Sequence, residues 1–182
     1  HGLDIESDLV LPEFPKSSSN AEPRIKIHQS LHGQWPELTP SPHSTPSLQL
    51  SPNDWRLTLE GIGWFRATDG HHLEWERWDD SVSDRDIRTF LTTSALGALA
   101  IQRGELVLHG IALECNGQAI VLLGQPVMGK STIAWLLLQH GWRLVSSEVV
   151  VINTEGKVAP GIHQLKLWHD TAVAFDINWM EL

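Results

Sequence analysis

The stretch GQPVMGKST, residues 124–132, has the residue types and spacing of a phosphate-binding loop. It fits the Walker A pattern G-x-x-x-x-G-K-[ST] in full, through Gly124, Gly129, Lys130 and Ser131. Glycines permit backbone angles that a side chain forbids, and they let amides approach phosphate oxygens closely. The start of the following helix adds a dipole that favours an anion. The alternative is that the stretch makes only a tight turn between a strand and a helix.

Nucleotide binding would give each residue of this loop a role. We expect the backbone amides to hold phosphate oxygens, Lys130 to reach the β- and γ-phosphates, and Ser131 to ligate Mg²⁺ through its hydroxyl. The predicted nucleotide-binding residues are Gly124, Gln125, Pro126, Val127, Met128, Gly129, Lys130, Ser131 and Thr132. The predicted cofactors are therefore a nucleoside triphosphate and Mg²⁺.

The segments around the loop have the required strand and helix patterns. AIVLL, residues 119–123, has no polar residue and predicts a strand that is buried on both faces. Asn116-Gly117 before it predicts a hairpin turn to the strand ELVLHGIALEC. STIAWLLLQH after Lys130 predicts a helix that ends at Gly141, and because it is apolar on nearly all sides we expect both of its faces to be covered.

The rest of the chain divides at about residue 83. Residues 1–82 predict a β-rich N-terminal region, with a Pro/Ser-rich loop over 36–52 and a hairpin at Asp69-Gly70. Residues 83–182 predict a P-loop domain that opens with one core helix, from a cap at Ser83 to Gly104. The N-terminal region is rich in tryptophan, for which strand packing is favoured over ligand stacking.

The amino-acid composition argues against some classes of binding partner. The net charge of −9 argues against a broad nucleic-acid or anionic membrane surface, and no apolar run approaches the ~20 residues that span a bilayer. The single cysteine, Cys115, fits a reducing compartment. These features predict a cytoplasmic protein with no nucleic-acid or membrane partner. The start lacks the pattern of a signal peptide, and the sequence begins without Met, so its N-terminal boundary is open.

The second half of the chain resembles the HPr kinase/phosphorylase-like serine kinases. A typical P-loop NTPase carries an Asp at the end of a second apolar strand, and no such strand follows the loop in this sequence. Instead the order is LVLHGIALECNG, QAIVLLGQPVMGKSTIAWLL, QHGWRLVSSEVVVI and PGIHQLKLW. HGLDIESDLVLPEF and PGIHQLKLW are similar to the HPr-kinase-like proteins of peptide-modification clusters, such as lasso-peptide precursor kinases. The resembling kinases continue beyond this region, so the resemblance predicts a P-loop domain that is truncated at its C-terminus.

The resemblance implies a fold and a catalytic set. The fold is α/β, with a mixed, largely antiparallel sheet around the P-loop helix, as in the HPr kinase and PEP carboxykinase group, and with a smaller β-rich N-terminal part. ATP and Mg²⁺ are the implied cofactors. Catalytic roles fall on His109, Lys130, Ser147 and Glu148, with Ser131 and Glu148 as metal ligands. The family's general base is an acid at the position that Ser147 occupies in this chain.

The serine at position 147 leaves two functions open. A hydroxyl cannot take a proton near neutral pH as a carboxylate can, and general-base catalysis contributes about 10²–10⁴-fold in rate. Strand alternation points Ser147 and Glu148 to opposite faces, which argues against a simple replacement. The chain is then either a kinase for a serine of a protein or peptide, or a catalytically degenerate nucleotide-binding module. The family resemblance is compatible with a homo-oligomer.

Overall fold

The computed structural model describes residues 4–14, 24–39, 41–167 and 169–176. Its strands are β1 (Ile5–Ser7), β2 (Ile25–Gln29), β3 (Leu48–Ser51), β4 (Asp54–Leu59), β5 (Gly63–Thr68), β6 (His72–Arg77), β7 (Leu106–Cys115), β8 (Gln118–Leu123) and β9 (Arg143–Ile152). Its helices are α1 (Asp84–Phe90), α2 (Leu96–Gln102), α3 (Lys130–Gln139) and α4 (His169–Ala174), with a 3₁₀ turn at His32–Gln34 and a π-helix at Leu91–Ala95. The predictions for residues 1–3, 15–23, 40, 168 and 177–182 lie outside the described residues.

The N-terminal region forms a six-stranded mixed sheet, in the order β1-β2-β6-β5-β4-β3. The pairs β1/β2 and β2/β6 are parallel and the others are antiparallel. Side chains alternate across β5, so that Phe65 and Ala67 are fully buried. The predicted turn at Asp69-Gly70 is confirmed, because both residues have positive φ (53° and 76°) between two paired strands.

One helical segment covers the inner face of this sheet. The Ser83 hydroxyl accepts a hydrogen bond from the Asp86 amide and caps α1, as the sequence predicts. The apolar residues of α1, the π-helix and α2 share one core with Phe65 and Leu73 of the sheet. The predicted single helix is therefore interrupted by the π-helix. The predicted division at residue 83 stays a prediction, and the segment that follows it packs on the sheet that precedes it.

The outer face of the same sheet carries a network of charges and indole rings. The Asp54 carboxylate accepts hydrogen bonds from Arg56 and Arg66, and Arg66 also donates to Glu74 at 2.6 Å. The guanidinium carbons of Arg56 and Arg66 lie 5.8 and 5.9 Å from the centroid of the Trp35 ring. Trp35 thus holds the segment after β2 against the sheet through cation–π contacts and packing.

The second sheet is antiparallel, with β7 between β8 and β9. The hairpin at Asn116-Gly117 is confirmed, with φ of 53° and 78° and Cys115 paired with Gln118. Helix α3 packs on this sheet, through Ala134 against Ile111 and Leu113. The fold is therefore α/β with two sheets. The resemblance implied a mixed, largely antiparallel sheet around the helix after the glycine loop and a smaller β-rich N-terminal part. In the described residues the sheet beside α3 has three antiparallel strands, and the mixed sheet is the larger, N-terminal one.

Three local predictions are wrong. Residues 48–51 are strand β3 rather than part of the 36–52 loop, because Leu48 to Ser51 pair with β4. Strand β8 is not buried on both faces, since Leu123 is 56% exposed. Helix α3 is covered on one side only, and Ile133 is 47% exposed. In the described part of the chain β8 is an edge strand, which explains why hydrophobicity alone overestimated its burial.

None of the helices in the described ranges is long and apolar enough to cross a bilayer.

Asp54 gives a test of the outer network. Burial raises the pKa of its carboxyl, but the hydrogen bonds and charges of Arg56 and Arg66 lower it by more, so that it lies below the usual 3.8. The interactions that lower this pKa contribute their full stabilisation above pH 3.8. That contribution is lost as the pH falls through the folded-state pKa. We expect Asp54→Asn to lower the free energy of unfolding at pH 7 by about 2 kcal/mol, measured by urea denaturation.

The difference between Asp54→Asn and the wild type should shrink on acidification below pH 3.8. Asp80→Asn, at an exposed position, is the control and should change stability little. A pH-independent difference for Asp54→Asn would contradict the electrostatic explanation.

Candidate functional site

The glycine loop, residues 124–129, connects β8 to α3 in a conformation that needs its glycines. Gly124 has φ of 152° and Gly129 has φ of 81°, and Val127 between them also has a positive φ of 67°. Gly129 is the N-cap of α3. The loop is open to solvent, and the Val127 side chain is 86% exposed. The first amides of α3 have no acceptor within the helix, so they are available to an anion in front of the loop.

Lys130 provides the positive charge of the loop. Its ammonium donates hydrogen bonds to the carbonyl oxygens of Gly124 (2.7 Å) and Gln125 (3.0 Å). These bonds hold the ammonium against the loop backbone, and Lys130 lines the cavity beside the loop. The loop, the exposed amides and Lys130 together fit a bound polyphosphate.

Strand β7 brings His109 and Gly110 to the loop. Gly110 is paired with Leu123 on one side and Glu148 on the other. A Cβ atom at position 110 would lie 2.7 Å from the Leu122 carbonyl oxygen, so only glycine permits this approach of β8. His109 is exposed beside it and is therefore not a core histidine.

Strand β9 brings Ser147 and Glu148 to the same place. The Ser147 hydroxyl is buried and donates to the carbonyl oxygens of Gln164 (2.6 Å) and Ile162 (3.2 Å). Glu148 has a positive φ of 69°, and its carboxylate lies 3.1 Å from the Lys166 ammonium. Both side chains therefore contact the 162–166 segment, although strand alternation predicted opposite faces. The positive φ, rare for a residue with a Cβ, redirects Glu148.

These residues surround one cavity of about 480 Å³. It is lined by His109, Gly110, Ile111, Pro126, Val127, Lys130, Ser131, Ser147, Glu148, Leu165, Lys166 and Leu167. Seven of the predicted site residues meet in this cavity. The predicted residues Gly124, Gln125, Met128, Gly129 and Thr132 do not line it. All the predicted roles stay predictions.

Lys166 is the charged cavity residue that the sequence did not indicate. It belongs to HQLKLW, in which nothing distinguishes it from a surface lysine. The 158–162 segment runs along the outer edge of β9, where Ser147 and Ile162 form a bridge. The chain that follows Ile162 therefore passes close to β9 and brings Lys166 to Glu148. Gly161 permits this close approach, since a Cβ there would lie 2.0 Å from the Ser146 hydroxyl.

The oxygen atoms that line the cavity include possible ligands for a metal ion. No group of three or more His, Cys, Asp or Glu side chains that could hold a metal occurs in the described ranges. Ser131 and Glu148 are two oxygen donors on one cavity. Mg²⁺ is commonly bound by one or two protein oxygens together with substrate phosphates and water. The residues present fit that arrangement.

Comparison with known proteins gives partial similarity to one family. The chain is 38% identical over 58 residues to the HPr kinase/phosphorylase of Chlorobium phaeobacteroides, which covers 30% of this chain and 17% of that protein. It is 39% identical over 49 residues (27% of this chain) to that of Prosthecochloris aestuarii, and 35% identical over 66 residues (36% of this chain) to that of Lactobacillus delbrueckii subsp. bulgaricus. The aligned stretches span 14% and 21% of these two relatives. No family model and no solved structure matches.

Gly110 gives a test of the strand packing beside the loop. A methyl group at this position must displace the backbone of β8, so we expect Gly110→Ala to lower the free energy of unfolding by about 2 kcal/mol in urea denaturation. Gly97→Ala is the control, because its Cβ would meet Val107 and Val149 at ordinary distances of 3.6 and 3.9 Å. The control should keep or raise stability, as alanine favours a helix. Equal stability of Gly110→Ala and the wild type would contradict the close approach.

Ser147 gives a test of the 162–166 segment. Ser147→Ala removes the hydroxyl that donates to the Gln164 carbonyl oxygen, whereas the Ile162 oxygen still accepts from the Ser147 amide, and it should cost about 1–2 kcal/mol. Ser147→Asp places an ionised carboxylate against those carbonyl oxygens and should cost more than Ser147→Ala. Thermal and urea denaturation measure both, with Ser47→Asp at an exposed position as the control. If Ser147→Asp is as stable as the wild type, the hydroxyl does not hold this segment.

Proposed function

We propose that this chain is an ATP- and Mg²⁺-dependent kinase that transfers the γ-phosphate to a serine hydroxyl of a protein or peptide. The observation that carries the proposal is the cavity in which Lys130 and Ser131 of the loop face His109 and Glu148. The partial similarity to HPr kinase/phosphorylases supports a kinase-like function. The finer proposal, that the acceptor is a peptide as in lasso-peptide precursor kinases, rests on the N-terminal and C-terminal sequence resemblance.

In the proposed reaction the protein positions the reactants and stabilises charge. The acceptor oxygen attacks the γ-phosphorus, the bond from that phosphorus to the β,γ-bridging oxygen breaks, and ADP leaves with the electron pair. Lys130 and the amides at the start of α3 stabilise the charge on the phosphate oxygens. Mg²⁺ would neutralise charge on the β- and γ-phosphates, with Ser131 and Glu148 as its protein ligands.

Glu148 is the residue proposed to take the proton from the acceptor hydroxyl, through the carboxylate oxygen that does not face Mg²⁺. Ser147 cannot do so, because it is a hydroxyl and donates to two carbonyl oxygens. Glu148 is partly exposed in the cavity, and its positive φ turns the carboxylate away from the direction that regular alternation would give. The Lys166 ammonium lies 3.1 Å from this carboxylate and would have to move aside when the acceptor enters.

The second candidate is a nucleotide-binding module without efficient transfer. Ser147 at the position of the family's acid favours it, as does the ion pair that occupies Glu148. Phosphate transfer depends mainly on positioning and charge, so loss of a base alone would lower the rate rather than abolish it. Under either candidate the nucleotide lies in the same place. A cytoplasmic location and a homo-oligomeric state remain part of the proposal.

Lys130→Ala tests nucleotide binding. We expect it to weaken ATP affinity at least about tenfold in calorimetric titration, because a charge-assisted contact to the phosphates is lost. Transfer of labelled γ-phosphate to a serine peptide or protein should fall in parallel. Lys157→Ala is the matched control, since Lys157 is exposed in a turn and pairs only locally with Glu155. Unchanged affinity in Lys130→Ala would refute phosphate binding by the loop.

The transfer assay separates the two candidates. Phosphate transfer by the wild type, lost in Lys130→Ala, supports the kinase. ATP binding by the wild type without transfer, together with transfer by a folded Ser147→Asp variant, establishes the degenerate module instead. No ATP binding at millimolar concentration refutes both.

A further inference from the structure

A second groove of about 430 Å³ adjoins the phosphate cavity. His109, Glu148 and Lys166 line both spaces. These three residues therefore form the junction between the two. A molecule in the second groove would meet a ligand of the first cavity at this junction, and no residue of the glycine loop lines the second groove.

One wall of the groove is the helical segment that covers the N-terminal sheet. Thr89, Thr93, Gly97 and Ile101 line it at intervals of four residues, which places them on one stripe of the segment. The stripe covers about 18 Å at the rise of an α-helix, which matches about five residues of extended chain. It crosses the π-helix at Leu91–Ala95, a local geometry that is frequent at functional sites.

The lining of the groove is uncharged away from the junction. The hydroxyls of Thr89 and Thr93 donate to the carbonyl oxygens of Arg85 (2.9 Å) and Thr89 (2.6 Å) in their own helix. Their donor hydrogens are thus already used, and the wall offers mainly methyl and aliphatic groups, with Trp55 on the sheet side. Ile101 at the far end is 63% exposed, so the groove is open to solvent there.

We infer that this groove holds the acceptor of the proposed phosphate transfer as an extended, uncharged peptide segment, with the serine hydroxyl at the junction. This inference rests on the proposed function, because only a phosphate in the first cavity makes an occupant of the second an acceptor. The polar junction suits the reacting hydroxyl, and the uncharged wall suits apolar or small flanking residues. The net charge of −9 disfavours acidic flanks.

The N-terminal region thereby takes part in acceptor recognition. The helical wall belongs to the core of the six-stranded sheet, and the facing residues Val107 and Val149 belong to the three-stranded sheet. Free serine would fill only the junction. A peptide would also cover the stripe, so its affinity depends on the helical wall.

The test measures peptide binding separately from transfer. The probe is a terminally blocked pentapeptide with a central serine between pairs of valines. It is titrated by NMR into the 182-residue chain loaded with Mg²⁺ and a non-hydrolysable ATP analogue. Thr93→Trp, which fills the groove, should weaken peptide affinity at least about tenfold. The same change should leave the affinity for the ATP analogue within about twofold, which also checks folding.

Two further variants sharpen the test. Thr89→Trp, at an exposed position on the same stripe, should also weaken peptide binding and is safe for the core. Arg85→Trp is the matched control, exposed on the same helix but outside the groove. It should bind the peptide as the wild type does. Replacing the flanking valines with glutamates should weaken binding to the wild type.

The outcomes distinguish the two proposals. Peptide affinity that is unchanged in both tryptophan variants, absence of peptide binding by the wild type, or equally tight binding of free serine would each overturn the groove assignment. Phosphate transfer that persists at the wild-type rate in Thr93→Trp would overturn it while leaving the kinase intact. Groove-dependent peptide binding without any transfer by the wild type would instead refute the kinase proposal and retain the groove as a peptide site.

Discussion

The candidate site depends on the close packing of β8, β7 and β9 around one residue without a side chain. Gly110 sits between Leu123, where the glycine loop begins, and Glu148 on the opposite strand. A methyl group there would overlap the Leu122 carbonyl oxygen. Because β8 can approach this closely, the loop that follows it lies beside His109 and Glu148. The cavity beside the loop and its junction with the second groove both follow from this spacing.

The backbone of β9 is strained at Glu148, the residue that pairs with Gly110. A positive φ at a residue with a Cβ costs of order 1–3 kcal/mol and persists only when its surroundings hold it. In β9 the surroundings are the two hydrogen bonds of the Ser147 hydroxyl to the crossing segment and the bridge between Ser147 and Ile162. Ser147 thus has a structural role in this chain, and it holds the segment that carries Lys166 to Glu148. The acid that the resembling family has at this position would need different neighbours.

The two sheets are connected by the helical segment, which serves both. Its buried side, with Ile87, Leu91 and Leu99, is part of the core of the six-stranded sheet. Its other side forms the wall of the second groove, against β7 and β9. Interactions that stabilise the N-terminal sheet, such as the Asp54 network, therefore also hold one wall of the groove in place. The site is built from distant parts of the chain, although the residues of its glycine loop are consecutive.

The sequence by itself determined the local features. Local backbone preferences and short-range spacing predict five features: the glycine loop, the hairpins at Asn116-Gly117 and Asp69-Gly70, the cap at Ser83 and the helix after Lys130. Residues that are close in sequence are sufficient to form each of them. Only the tertiary structure decided that there are two sheets, that β8 and α3 stay partly exposed, that Ser147 and Glu148 meet the same segment, and that Lys166 joins the cavity. These features depend on the strand order, on the positive φ of Glu148 and on the close packing of Gly161 against β9. A pattern of residue types specifies none of them.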